Sequence, residues 1–367
     1  MVNELDLGMA LTGELELDPP IKSLFVYNSN PVSQGPAQEK TMRGLMRDDL
    51  FTVVSEHFIT DTAKFADIIL PATMQAEQLD IMVTWGGHLY ISLNRPAIEP
   101  PGGECVPNVE LFRRLAATME FDEESLAYWE RTDREMLIDF HDWDAPRAAG
   151  HHLREARGGR LDAPERGCPP RHPAPPHAEG NFPTPSGKCE FKSSLAEGGN
   201  FVVPVWRSMY EGMQPGQYVD PVPDYIPPFE SPPQSNPGLA KRFPLSIISP
   251  KPHAFLNSQY GNAADKQQVQ GGQRVFIHPA DAADRRIEEG DLVRVFNDRG
   301  SFQGPAAYES GLMPGLVMAN VGHWQGKTSG TTVNAITADR HCSLGNAGVY
   351  GDNLVEVEKV MDQAAAS

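Results

Sequence analysis

Gly290-Asp291-Leu292-Val293-Arg294-Val295-Phe296-Asn297-Asp298-Arg299-Gly300 decides how the second half of this chain is read. A Gly-Asp turn feeds a short run rich in β-branched and aromatic residues, and Asn-Asp-Arg-Gly turns it back into another. Upstream, Pro244–Ser249 and Val275–Ile277 read as strands, and Pro279 and Asp281 open a short helix with proline at its first position. Downstream, Pro314-Gly315 precedes a strand over 316–319, and Leu354-Val355-Glu356-Val357-Glu358-Lys359 alternates apolar and polar to close the series. Short strands at this spacing predict a small β-barrel over 243–361.

The first part reads as α/β. Leu24–Tyr27 ends in the turn cluster Asn28-Ser29-Asn30-Pro31. A helix is expected over 36–48 with Pro36 at its first position. Leu50–Val54 and Asp67–Pro71 are further strands, and Thr60-Asp61-Thr62 caps a helical turn through Phe65. Strands separated by helices predict part of an open parallel sheet, whose ligands sit beyond the carboxyl ends of the strands, where Asn30 and Pro71 fall. A helix is expected over 108–119, capped by Asn108, with Val109, Phe112, Leu115, Ala116 and Met119 on one packing face. The expected division is an α/β domain over 1–145, a Pro-rich connector over 146–242, and the barrel.

Composition excludes several classes. Thirty-one basic against 49 acidic residues give a net charge of −18, which argues against nucleic acid and against an anionic membrane surface. Cys105, Cys168, Cys189 and Cys342 form no CxxC pair, so the chain offers no zinc or iron–sulfur pattern, and a reducing compartment is expected. No apolar run approaches the roughly 20 residues of a membrane span. The acidic start, Met1–Asp18, carries no secretory signal, so a cytoplasmic location is expected. Residues 146–178 mix arginines, histidines and prolines with no spacing that aligns imidazoles for a metal, and read as a basic surface loop.

Several motifs in fixed order resemble the C-terminal half of the molybdopterin oxidoreductases, the dimethyl sulfoxide reductase, formate dehydrogenase and nitrate reductase superfamily. Asn28–Pro31 is similar to that family's asparagine–proline loop, and His57–Ala72 to its signature ending in Ala-Asp-x-x-Leu-Pro. Phe182–Lys188 resembles its Phe-Pro-Thr-Pro-Ser-Gly-Lys return segment, Ile277–Gly300 the start of its dinucleotide-binding double-psi β-barrel, and Val333–Thr337 its late Asn-Ala-Leu-Thr segment.

The resemblance implies a molybdenum or tungsten ion held by two molybdopterin guanine dinucleotides, performing oxygen-atom transfer or two-electron oxidation of a small-molecule substrate. The family's metal ligand, and any 4Fe–4S cysteines, lie upstream of these segments. The chain is therefore expected to be a fragment, a truncated product or one piece of a split enzyme, inactive alone, with a missing N-terminal half and an electron-transfer partner. A non-catalytic pterin-dinucleotide-binding subunit or carrier, paired with a separately encoded catalytic half, is the alternative.

Pyrophosphates need N–H groups, hydroxyls and cations, and guanine needs a carboxylate on one edge and amide donors on the other. His253, Asn257 and Ser258 are then cofactor contacts by resemblance, or parts of a surface loop. Asn334 and Thr337 are a contact or a turn-stabilising pair. His323 and Trp324 stack near the pterin or pack. Asn30 meets a dinucleotide at its strand end. Thr60 and Asp61 do likewise or cap a helix, Asp67 pairs within its domain, and Lys188 neutralises a phosphate or is solvated. His88 lines a funnel or a surface loop. No residue is assigned a catalytic or metal-ligating role.

Overall fold

Parallel strands β1 (Ser23–Tyr27) and β2 (Phe51–Glu56) start the fold of the computed structural model, in register from Ser23 opposite Phe51 to Tyr27 opposite Ser55. The structure describes residues 2–83, 91–139, 177, 180, 182–198, 220–222, 225, 228–230, 236–341 and 347–361. His88, Cys168, Cys342, most of 146–178 and most of the Pro-rich stretch 204–237 lie outside them. The chain falls into two units, Met1–Ile69 with Cys189–Ser367, and Leu70–Lys188.

In the first unit, β3 (Ile68–Pro71, its last two residues across the unit boundary) completes the sheet order β1-β2-β3. The link between β1 and β2 departs from expectation. Pro31, not Pro36, takes the first helical position, in a one-turn helix over Pro31–Gln34, and the longer helix is Gln38–Leu45. Ala37 precedes it in the left-handed region at φ 49°, with its N–H donating to Thr337 O at 3.0 Å. That tertiary bond sets where the helix starts, and no local pattern announces it. The helix Leu7–Thr12 packs on it so closely that a Cβ on Gly44 would stand 2.4 Å from Leu11 Cβ. Leu11, Val32, Leu45 and Leu50 form the core beneath.

The same unit holds a closed six-stranded barrel. Its strands are β6 (Leu245–Ile248), β7 (Val275–Ile277), β8 (Leu292–Asn297), β9 (Gly300–Tyr308), β10 (Leu316–Met318) and β11 (Leu354–Lys359), in the spatial order β10-β6-β11-β8-β9-β7. Pairs β10–β6 and β7–β9 are parallel, and β8–β9, β11–β8, β11–β6 and β10–β7 antiparallel. The inward residues of the alternating strands, among them Val293, Val295, Phe302, Val355 and Val357, fill the interior with Ile247, Ile277 and Ile287. Pro279 begins the helix Pro279–Asp284 as expected, capped by His278, whose Nδ1 accepts from the Ala280 N–H at 3.1 Å.

In the second unit, β4 (Asp80–Val83) pairs antiparallel with β5 (Ile91–Asn94), followed by helices Asn108–Thr118, Glu123–Trp129 and Asp133–Asp139. The first helix is capped by Pro107 rather than Asn108: Pro107 has the extended backbone of a cap, and Asn108 is already helical. Ala116 is its buried residue, while Val109 and Leu115 stay more than a third exposed, so the apolar face is less covered than its periodicity predicts. Arg113 ties the three helices, donating to Trp129 O at 2.9 Å and to Asp133 at 2.7 Å.

Candidate functional site

The loop after β1 and the loop after β2 meet at the carboxyl end of the sheet. Asn30 caps the Pro31 helix, and its Oδ1 accepts from the Thr62 hydroxyl at 2.7 Å and the Thr62 N–H at 3.3 Å. Thr62 Oγ1 in turn accepts from Val32 N–H at 3.1 Å. Asn30 Nδ2 is buried and finds no hydrogen-bond partner among the described residues; the Gln34 Nε2 group nearby is in the same condition. Thr62 holds the cap position of the single turn Ala63–Phe65, and Thr60 Oγ1 accepts from Ala63 N–H at 3.2 Å. Asp67 accepts from Thr52 N–H at 2.7 Å, the pairing expected of it.

Asp61 does something the sequence did not suggest. Its buried carboxylate accepts from Ser33 Oγ at 2.9 Å, Lys64 Nζ at 2.8 Å and the N–H groups of Gln325 and Gly326 at 2.5 and 3.2 Å. The last two belong to the loop that follows β10. A Cβ on Gly326 would stand 2.6 Å from Lys64 Nζ, the end of a flexible, half-exposed side chain that can swing aside. Asn334, in the single turn Val333–Ala335, donates to Ser33 O at 2.8 Å. Gln38 completes the layer, donating to Val32 O at 2.9 Å and accepting from Thr332 N–H at 3.0 Å. Thr337 Oγ1 donates to Val333 O at 3.1 Å, and Thr337 O receives the Ala37 N–H. These side chains stitch the strand ends of the sheet to the loops of the barrel.

A second group lies on the loop after β6. His253 and Asn257 are exposed and Ser258 is half-buried, so their side chains are available to a ligand. The loop is held from behind. Ser258 O accepts from Trp324 Nε1 at 2.7 Å, and Gly322, at φ +89°, lies so near that a Cβ would meet Asn257 O at 2.2 Å. Asn257 itself is left-handed at φ 54°, a conformation asparagine tolerates. His323 is buried with its ring edge-on to Phe255 at 5.4 Å, and its Nδ1 has no partner among the described residues. Burial pushes its imidazole down to about 4, so it is neutral at pH 7. Trp324 is buried too, and its indole edge packs over Gly261.

Lys188 is exposed and belongs to the other unit, in a turn where Lys188 O accepts from Thr184 Oγ1 at 2.7 Å. Sequence reading missed Ser33, Gln38 and Gln325, which have no motif of their own. It also missed a charged hub outside this layer. Glu230, buried in the Pro-rich stretch, accepts from Arg299 at 2.7 and 3.0 Å, Arg340 at 2.6 Å and Leu354 N–H at 2.8 Å. Burial works to raise its carboxyl, but Arg299 and Arg340 hold it below the usual range. Arg299 Nε donates onward to Ile336 O at 2.8 Å, fixing the end of the Asn334 turn. No His/Cys/Asp/Glu cluster able to hold a metal, and no helix long and apolar enough to cross a membrane, occurs among the described residues.

Comparison with known proteins agrees with this architecture. Residues 5–118 match the molybdopterin oxidoreductase family model, and residues 245–350, which cover most of the barrel, match the molydopterin dinucleotide binding domain. The chain is 33% identical over 361 residues to the probable oxidoreductase YoaE of Bacillus subtilis, covering 98% of this chain and 47% of that protein. It is 30% identical to the dimethyl sulfoxide reductase DmsA of Escherichia coli, over 95% of this chain and 43% of that one. The acetylene hydratase of Pelobacter acetylenicus shares the fold with a TM-score of 0.70 at 21% identity, over 98% of this chain and 47% of its own. The chain thus spans about half the length of the relatives it matches. It belongs to the molybdopterin oxidoreductases of the dimethyl sulfoxide reductase superfamily.

Proposed function

We propose that this chain is the cofactor-clasping C-terminal portion of an oxidoreductase that uses molybdenum or tungsten carried on two pterin guanine dinucleotides. The observation that carries the reading is the coincidence of the closed barrel with the dinucleotide-binding family match over residues 245–350. Its parallel pairs β10–β6 and β7–β9 support a double-psi barrel. On this reading residues 1–145 are the second half of a split α/β domain, 146–242 the connector and 243–361 the barrel.

The residues fit such a group. A dinucleotide asks for neutral donors around its phosphates and base. Asn30 Nδ2 is a buried donor without a partner among the described residues, a costly state that a ligand acceptor would relieve. His253, Asn257 and Ser258 would offer side chains from the loop after β6, with His323 and Trp324 as its rigid backing. Lys188, on the connector, would neutralise a phosphate. Thr60, Asp61, Asn334 and Thr337 are each engaged by protein partners, so their part is to hold Asn30 and the barrel loops in place. When bound, the metal supplies two-electron or oxygen-atom exchange with a small-molecule substrate. The chain's own residues bind and orient. The metal ligand, any 4Fe–4S cluster and the contact with an electron-transfer partner belong to the part of the family's length that this chain does not span, and the chain alone is inactive.

The test is to purify the chain with that remaining part and assay for pterin fluorescence after oxidation and for released guanine nucleotide. Both are expected in stoichiometric amount, and Asn30→Ala should lower them at least tenfold. The absence of both overturns the reading.

A further inference from the structure

Glu230 is only 3% exposed, although it stands in the Pro-rich stretch rather than on the barrel it enters. Its neighbours are drawn in with it. The N–H groups of Phe229 and Glu230 donate to the two carboxylate oxygens of Asp352 at 3.1 and 2.9 Å, and the Arg340 guanidinium lies over the Phe229 ring at 4.6 Å. A buried carboxylate between guanidinium groups is a poor route to stability, because desolvation offsets much of the attraction; its best-attested use is to fix one arrangement out of several. What Glu230 fixes is the segment Ile336–His341.

That segment has two sides. Thr337 O accepts from Ala37 N–H at 3.0 Å, Asp339 accepts from Lys40 Nζ at 2.9 Å, and His341 Nε2 lies 2.9 Å from Asp6 Oδ1. The odd-numbered residues thus reach the α/β part. Between them, Ala338 N–H donates to Asn353 Oδ1 at 2.8 Å, and Arg340 donates to Glu230 at 2.6 Å and to Asp352 at 3.1 Å, so the even-numbered residues reach the barrel and Glu230. Extended backbone places successive residues on opposite sides, and this segment uses both. Arg299 secures its start, donating to Glu230 and, through Nε, to Ile336 O. Ile336 ends the turn whose Asn334 Nδ2 donates to Ser33 O, and Ser33 lies in the one-turn helix that Asn30 caps and Gln34 ends. Asn30 Nδ2 and Gln34 Nε2 are buried donors without partners among the described residues.

We infer that Glu230 is a positioning residue for the ligand donors Asn30 and Gln34. Through Arg299 and Arg340 it holds Ile336–His341, and through Asn334 and Ser33 that segment sets where the two amides point. Donors of this kind must be held to about 0.5 Å to serve a ligand, which is more than packing of a single helical turn supplies. The inference rests on the reading above for what the amides receive, but not for how they are aimed.

The experiment follows the side-chain amide signals of Asn30, Gln34 and Asn334 by NMR in the full chain, assigned through Asn30→Asp, Gln34→Glu and Asn334→Asp. Arg299→Lys keeps a cation beside Glu230 but gives up the fork that reaches Glu230 and Ile336 O together. It should displace all three signals, and Glu230→Gln should displace them in the same direction. Ile287→Ala loosens the barrel core ahead of the other end of β8 and should leave them in place. Where Glu230→Gln fails to fold, Arg299→Lys carries the test. Signals unmoved by Arg299→Lys overturn the inference, as do signals that Ile287→Ala moves as far, since the effect would then be general loosening. A second readout is the guanine nucleotide retained by the chain purified with the part of the family's length it does not span. Arg299→Lys should lower it about tenfold, the scale of one lost hydrogen bond. Full retention in that variant overturns the inference and leaves the cofactor reading intact. Displaced signals with neither pterin nor nucleotide in the wild type keep the positioning role and remove the cofactor reading.

Discussion

Asp61 precedes Gln325 by 264 residues, yet the Gln325 amide donates to its carboxylate at 2.5 Å. This bond, with those from Gly326, Ser33 and Lys64, makes one buried side chain the joint between the strand ends of the sheet and the barrel. Asp61→Asn keeps the size and one acceptor oxygen but brings an NH2 group against amide donors. It should lower unfolding stability by about 2–3 kcal/mol, the scale of hydrogen bonds to a charged group. Urea denaturation of wild type and variant measures this, and a change under about 0.5 kcal/mol, within the range of ordinary surface substitutions, would show that the joint bears no load.

His323 gives a pH signature. Its folded imidazole sits at about 4 against 6.5 for the ordinary group, so the unfolded chain binds the extra proton between those values. Stability from this group is full above about pH 6.5 and is lost as pH falls toward 4, by up to roughly 3 kcal/mol. His323→Phe should remove that slope. The quantity to follow is the wild-type-minus-variant difference in denaturation midpoint at pH 7 and pH 5, which cancels the contribution of the carboxylates. A difference that stays constant with pH would mean the imidazole is not held neutral.

Glu230 is the counter-charge of two arginines. Glu230→Gln removes the carboxylate that Arg299 pairs with and leaves Arg340 with Asp352 alone, in a largely buried setting, and should cost about 3–5 kcal/mol. Because its folded pKa is depressed, the stabilisation is present above the ordinary carboxylate range and disappears on acidification through the lowered value. Thermal unfolding of the variant at pH 7 should resemble that of the wild type at acid pH more than that of the wild type at pH 7.

Gly322→Ala tests the support behind the loop carrying His253, Asn257 and Ser258. The added methyl would collide with Asn257 O in a backbone conformation that favours glycine. A loss of at least about 2 kcal/mol is expected, with faster amide exchange at Leu256 and Gln259, whose N–H groups bond across the turn. Unchanged exchange there would show that the loop does not lean on Gly322.

The barrel was the more legible half. Val275–Ile277 and Leu354–Lys359 stand where alternation and turn residues put them, because strand and turn signals are local. The helix start at Gln38 was not legible, since it depends on a bond from Ala37 to Thr337. The sequence singled out Asn30, Asp61 and Asn334, and the structure gathers them in one layer. Their roles could not be read, because what each does is set by a partner far along the chain: Ser33 O for Asn334 across 301 residues, Gln325 N–H for Asp61 across 264. Glu230 was invisible for a different reason. A lone carboxylate in a Pro-rich stretch carries no pattern, and only the arrival of Arg299 and Arg340 gives it meaning.

The joint at Asp61 also governs the order of events on the ribosome. At about 5–20 residues per second, roughly 13 to 50 s separate the synthesis of Asp61 from that of Gln325. Throughout that interval the Asp61 carboxylate can meet Ser33 and Lys64 but not the amides of Gln325 and Gly326. The early segment therefore reaches its full set of hydrogen bonds only after the late loop has been made.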